Sequence, residues 1–294
     1  MAIDKAKNPS TWITKIIRDW VKTSSENTLA NASREKAWDE PLVGFSRGDD
    51  ACWESFKEHV GPFHWTPEEA FEKAFPGSCV PPHRLTVISW VLPQMKQTKI
   101  DSRKEKTYPP ERWARSRFYG EVVNEKLRRH VVSELAKADI RATAPVLDPQ
   151  WSRMSSDKFV FASKWSERHA AFVAGLGTFG LCDGLITPKG KAMRVGSVVA
   201  EIQVPPTARP YQSHQEYCLW FSRGTCRKCV QRCPVGALSE KGHDKITCMK
   251  HVHETCQRYI SRHYGFDGYA CGLCQTGVPC ESRIPFMEGD EKEG

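Results

Sequence analysis

No run in this 294-residue chain approaches the roughly 20 consecutive apolar residues that a membrane span requires, so a helical anchor is not expected. The first residues, Met-Ala-Ile-Asp-Lys-Ala-Lys-Asn-Pro-Ser, lack the apolar core of a secretory signal, and no twin-arginine pair stands near them. Export is not indicated, a disulfide framework has no oxidising compartment in which to form, and a soluble cytoplasmic chain is the expectation. Internal repeats and low-complexity segments are missing too. So is a block of one charge sign: the formal net charge is +8, but Lys and Arg are spread along the chain. Their densest stretch, residues 112–129, carries Phe118, Val122, Val123 and Leu127, continued by Val131 and Leu135. Spacings of three and four there predict an amphipathic helix whose basic residues face water. A surface for nucleic acid or an anionic cofactor is the alternative use of those charges.

Cysteine is sparse in the first two hundred residues, where Cys52, Cys79 and Cys182 stand alone and each reads as a small buried apolar side chain. Cys182 is set apart only by following a glycine segment that could face a cofactor. The other nine of the twelve cysteines lie between positions 218 and 280. They comprise Cys218, then Cys226-x-x-Cys229-x-x-x-Cys233-Pro234, then Cys248 and Cys256, and last Cys271-x-x-Cys274 followed by Cys280. In two-cluster ferredoxins the run C-x-x-C-x-x-C-x-x-x-C-P gives three thiolates to one cubane and its fourth to the other. Here Arg223 stands where the first cysteine of that run would be, and Cys218 is the nearest substitute, with Gly224 helping the longer loop to turn. Cluster one is accordingly assigned Cys218, Cys226, Cys229 and Cys280, and cluster two Cys233, Cys248, Cys271 and Cys274. Cys256 is the spare, because it lies in a helix-like stretch, 250–263, without a clustered partner; the choice between Cys248 and Cys256 stays open. Structural zinc also uses C-x-x-C pairs. It has no use for the interleaved run that ends in Cys-Pro-Val-Gly-Ala, and nine free thiols in so short a stretch are too dense for packing alone.

The N-terminal part reads as alternating helices and strands. Trp12, Ile13, Ile16, Ile17 and Trp20 mark a first amphipathic helix, and Thr66-Pro-Glu-Glu69 is a capping box that opens another. Residues 85–92 form an apolar, β-branched run that reads as a buried strand ended by Pro93, with weaker strands at 142–147 and 195–204. Gly175-Leu-Gly177-Thr-Phe-Gly180 matches the dinucleotide fingerprint by letter, but that fingerprint needs a strand before it and a helix after it. Residues 166–174 look helical and Thr187-Pro-Lys-Gly190 is a turn, so the order is reversed. These glycines are expected to end a helix and to let backbone approach a large flat ligand or a cluster. His251, His253 and His263 read as ordinary surface or core histidines.

The segment from Glu167-Arg168-His169 through Gly175-Leu-Gly177-Thr-Phe-Gly180-Leu, then Leu185-Ile-Thr, the Cys-Pro-Val-Gly-Ala run and the late Cys-x-x-Cys resembles the epoxyqueuosine reductase and reductive dehalogenase superfamily. Val87-Ile88-Ser89 and the 112–129 helix extend the resemblance to about 85–285. It implies an α+β fold: an N-terminal domain (1–205) related to the nitroreductase-like, cobalamin-binding fold, a ferredoxin-like domain (206–285) with two [4Fe-4S] clusters, and an acidic tail (286–294). It also implies an oxidoreductase whose clusters feed electrons to a cobalamin, with Gly175, Gly177 and Gly180 lining the cofactor. A tetrapyrrole-sized pocket between that segment and Ser163 is then expected.

The position of the family's catalytic aspartate falls on Phe161, so a substitute proton donor is sought among Ser163, Lys164, Glu167 and Arg168. The tRNA-modifying members often carry a helical-repeat extension, whereas this chain ends soon after Cys280, and action on tRNA is not expected. The expected partners are a ferredoxin or flavodoxin as electron donor and a small-molecule substrate or a partner corrinoid protein. A pure electron-transfer protein, or one that reactivates a partner's corrinoid, is the alternative.

Overall fold

The computed structural model describes residues 8–285, so the acidic tail lies outside the described residues. In chain order the first half comprises α1 (Pro9–Thr23), β1 (Leu42–Arg47), α2 (Cys52–His59), α3 (Pro67–Ala74), β2 (Leu85–Pro93), α4 (Lys96–Lys104) and α5 (Glu111–Ala136). There follow β3 (Ala142–Thr143), β4 (Arg153–Ser156), β5 (Val160–Ser163), α6 (Glu167–Val173), β6 (Thr178–Phe179), β7 (Leu185–Ile186) and β8 (Met193–Glu201). The cysteine-rich part holds only short pieces: α7 (Leu219–Arg223), α8 (Lys228–Gln231), β9 (Leu238–Ser239), β10 (Gly242–His243), α9 (Lys245–Lys250) and α10 (Gln257–Tyr264).

The central sheet has strand order β1-β2-β8-β3, and every pairing in it is antiparallel. With helices on both faces, this is the α+β class expected. All nine residues of β2 are buried, because alternate side chains enter two separate cores. Ile88, Trp90 and Leu92 meet Ile13 and Ile17 of α1 and Val123, Leu127 and Val131 of α5. Leu85 and Val87 meet Trp53, Phe56, Phe71 and Trp165 on the other face. That two-sided cover is why the strand reads as a continuous apolar run rather than an alternating one.

Local signals hold where short-range chemistry decides them. Thr66 accepts the Glu69 amide while the Glu69 carboxylate accepts the Thr66 amide, so both halves of the capping box are made. The charge pattern of α5 needs a correction. Val122 is exposed, whereas Arg128, expected in water, is 1% exposed and lies among the sheet-facing residues. The weak strand at 142–147 is confined to β3, after which residues 145–147 form a 3-10 turn. No helix among the described residues is long and apolar enough to cross a membrane.

The cysteine-rich part is fastened to α4. Arg232 donates to the carbonyls of Glu105 (2.7 Å), Ser102 (2.8 Å) and Thr276 (3.0 Å), and Arg103 forks onto the buried Glu281 carboxylate. These bonds anchor the loop after Cys274 and the loop that carries Cys280.

Candidate metal centre

Cys218, Cys226, Cys229 and Cys280 come from three separate stretches, and all line one cavity together with Gly180, Leu181, Ile186, Lys191 and Val278. Cys218, Cys229 and Cys280 are buried and Cys226 is half-buried. Cys218 is the N-cap of α7, and that short helix ends at Gly224 in the left-handed conformation, so the eight-residue spacing to Cys226 is taken up by one compact turn.

Two residues that sequence reasoning had left aside stand here, Lys191 in the cavity wall and Cys182 next to it. Cys182 is buried, packs with Cys229 and against Cys274, and its sulfur lies 3.2 Å from the Lys191 ammonium. Hydrogen bonds from those two cysteines, and then the Lys191 charge, hold its thiol well below the ordinary range. Lys191 is 2% exposed, and among the described residues it forms no ion pair with a carboxylate. Burial opposes its charge, but Cys182, Cys280, Cys229 and Cys274 outweigh it and hold the group protonated. Burial pushes the Cys280 thiol up to about 11.

A second sulfur group adjoins the first. His251 Nε2 lies 3.2 Å from Cys256 Sγ, and with Cys271 the three ligand atoms fall within 4.8 Å of one another. Residues 251–256 form a π-helical segment, which stacks positions five apart on one face, and so Cys256 meets His251. Cys256 therefore has the clustered partner that its sequence neighbourhood does not suggest. Cys271 is pushed up by its hydrogen bond with Cys256 and by burial. Cys233 accepts the Ala237 amide at 3.2 Å. His243 Nδ1 lies 3.0 Å from the Asp183 carboxylate. Burial works against the charge of His243, but Asp183 and Cys248 prevail and lift it to about 10.

The four candidate proton donors are not brought together. Ser163 pairs with Arg153 across the β4–β5 hairpin, and Lys164 donates to the Gln150 carbonyl at 2.9 Å. Arg168 donates to the Asp183 carbonyl. Glu167 turns inward to Arg128 Nε at 2.9 Å and to the Ser197 hydroxyl, while Arg128 also meets Glu121 at 3.1 Å. Burial raises the Glu167 carboxyl against the pull of Arg128. Glu167 thus closes a buried ion-pair network under the sheet.

The glycine segment packs closely against its surroundings. A Cβ at Gly175 would lie 2.5 Å from the Ala208 carbonyl oxygen, and one at Gly177 2.1 Å from that of Ile186. Both glycines allow backbone to pack on backbone. Gly180 lines the cysteine cavity.

No family model matches the chain. Over 134 residues it is 29% identical to an epoxyqueuosine reductase of Bacillus anthracis, a stretch covering 44% of this chain and 33% of that protein. The matched stretch thus spans about a third of that relative's length. Among solved structures, a selenomethionine-labelled epoxyqueuosine reductase superposes with a TM-score of 0.48 at 19% identity, covering 92% of this chain and 66% of the other. A catabolic reductive dehalogenase gives 0.47 at 15% identity, over 82% of this chain and 30% of the other.

Proposed function

We propose that this chain, which is similar in sequence to an epoxyqueuosine reductase, is an iron-sulfur oxidoreductase that holds two [4Fe-4S] clusters. The observation that carries the reading is the cavity onto which Cys218, Cys226, Cys229 and Cys280 converge, with the Lys191 ammonium in its wall. Four thiolates and an iron-sulfide cube make an anionic group, and a buried cation without a carboxylate suits an anion. Bound there, such a cluster supplies one-electron transfer. The chain's own residues do the rest: four cysteines hold the group, Leu181, Ile186 and Val278 keep water from it, and Lys191 offsets its charge.

In this reading Cys233, Cys248, Cys271 and Cys274 hold the second cluster, and Cys256 and His251 hydrogen-bond to the Cys271 sulfur. Cys248→Ala is expected to lose iron, while Cys256→Ala keeps about eight irons per chain, the content of two cubanes. Equal loss from both would move Cys256 into the ligand set.

A corrinoid-type acceptor in the N-terminal part belongs to the resemblance, but Gly175 and Gly177, the residues expected to face it, pack on protein backbone. We derive no step through it. That packing favours the second reading, a cytoplasmic electron-transfer protein that takes electrons from a ferredoxin or flavodoxin and serves a partner enzyme or a partner's corrinoid. Action on tRNA is not part of either reading. Anaerobic purification with iron, cobalt and flavin counted per chain, before and after corrinoid is added back, tests both. About eight irons with stoichiometric corrinoid supports the enzyme, about eight irons alone supports the carrier, and an iron-free chain refutes both.

A further inference from the structure

The two sulfur groups meet at Cys182, which packs in one buried cluster with Cys218, Cys229 and Cys280, with Cys233 and Cys274 against it. Lys191 reaches the same point. The Thr187–Gly190 turn is closed by Gly190 N to Thr187 O at 2.7 Å and Thr187 Oγ1 to Gly190 O at 2.7 Å. The chain leaving it pairs with the loop that carries Cys280, through Lys191 N to Cys280 O (2.9 Å) and Ala192 N to Glu281 O (3.2 Å). The backbone thereby sets the Lys191 side chain beside the Cys280 thiol, and its ammonium also donates to Cys182 Sγ at 3.2 Å. A charge placed in this way cannot swing out to solvent.

Resting on the two-cluster reading above, we propose that Lys191 is a positioning residue that raises the reduction potential of the cluster held by Cys218, Cys226, Cys229 and Cys280, and that Cys182 is not a ligand but the anchor of its ammonium. Reduction adds one electron from the donor to that cluster and moves no proton, so the reduced state carries one more negative charge. A fixed ammonium in a dry wall stabilises the reduced state more than the oxidised one, since net charge, hydrogen bonds to sulfur and exposure set such potentials. At the second group the nearest cation, His243 beside Cys248, is already paired with the Asp183 carboxylate at 3.0 Å, and among the described residues no buried lysine stands there. The first cluster is then the easier of the two to reduce, and electrons settle on it.

The test is an EPR-monitored redox titration, with dithionite as reductant, of the anaerobically purified full chain and of Lys191→Met, Lys191→Arg and Cys182→Ala. Lys191→Met should keep its iron and shift the reduction equilibrium of one cluster at least tenfold toward the oxidised form, 59 mV more negative for one electron. Lys191→Arg should stay within about threefold of the unaltered chain, or about 30 mV. Cys182→Ala, which leaves the lysine charge in place, should keep about eight irons. Lys191→Gln is read in the same way as Lys191→Met should the latter fail to hold iron. Unmoved potentials with iron intact overturn the proposal and leave the two-cluster reading standing. Loss of iron from Cys182→Ala overturns the anchor role by making Cys182 a ligand. An unaltered chain that carries no iron refutes the reading beneath it as well.

Discussion

His64 is fully buried, and neither of its ring nitrogens has a hydrogen-bond partner among the described residues. Its neighbours are rings: Phe56 at 5.4 Å, His169 at 5.8 Å and Trp165 at 6.4 Å between centroids. Burial pushes its pKa from 6.5 down to about 4. The imidazole is thus neutral in the fold, while the unfolded chain takes up a proton as pH drops below about 6.5. Between about pH 6.5 and 4 the unfolded state binds more protons than the folded one, so stability rises with pH in that window and is lost on acidification. At 1.36 kcal/mol for each pH unit, the 2.5-unit gap amounts to about 3 kcal/mol. His64→Leu keeps an apolar side chain in the site and removes the titrating group. Urea unfolding of the anaerobic protein at a series of pH values from 7.5 to 4.5 should show the variant losing less stability than the parent, by most of that figure. His169, whose pKa burial also lowers, stays as a residual slope in both. Parallel stability curves for parent and variant would refute the argument.

Other substitutions test the fold that supports the site. Arg128→Met leaves the Glu167 carboxylate buried without its cation, while Glu121 keeps Arg194, and should cost about 3 kcal/mol, measurable by the same unfolding assay. Thr66→Ala removes one half of the capping box and should cost about 1 kcal/mol, while iron content stays unchanged. Cys226→Ala opens one corner of the cysteine cavity and should lower iron from about eight to about four per chain. A variant that still holds about eight irons would remove Cys226 from the ligand set.

What was legible in the sequence depended on how far away the deciding partner lay. Thr66 and Glu69 decide their helix start between themselves, and the 85–92 run declares a buried strand by its own composition. Arg128 could not be read that way. Its place on α5 falls in the stripe of Asn124, Leu127 and Val131, and its burial leans on Glu167, 39 positions on, as well as on Glu121. Cys256 was set aside for want of a neighbour, because a reading at 3.6 residues per turn does not bring positions 251 and 256 together, whereas a π-helical segment does. The β4–β5 hairpin was missed for a different reason: Met154, Phe159 and Val160 remain exposed, so no apolar alternation marks it.

Cys182 and Lys191 are the sharpest case, since each looks ordinary in sequence and acquires meaning only from the other. A buried thiol alone is a small apolar side chain. A buried ammonium alone would shed its proton or draw in a carboxylate, because removing a charge from water costs several kcal/mol. Here it does neither: its ammonium donates to Cys182 and shares a cavity wall with Cys229 and Cys280. The single visible hint was the Thr187-Pro-Lys-Gly190 turn, which fixes where the next lysine must emerge. The same geometry that makes the site hard to see in sequence makes its charge hard to displace, and a cation that cannot relax away is the kind that shifts a redox equilibrium.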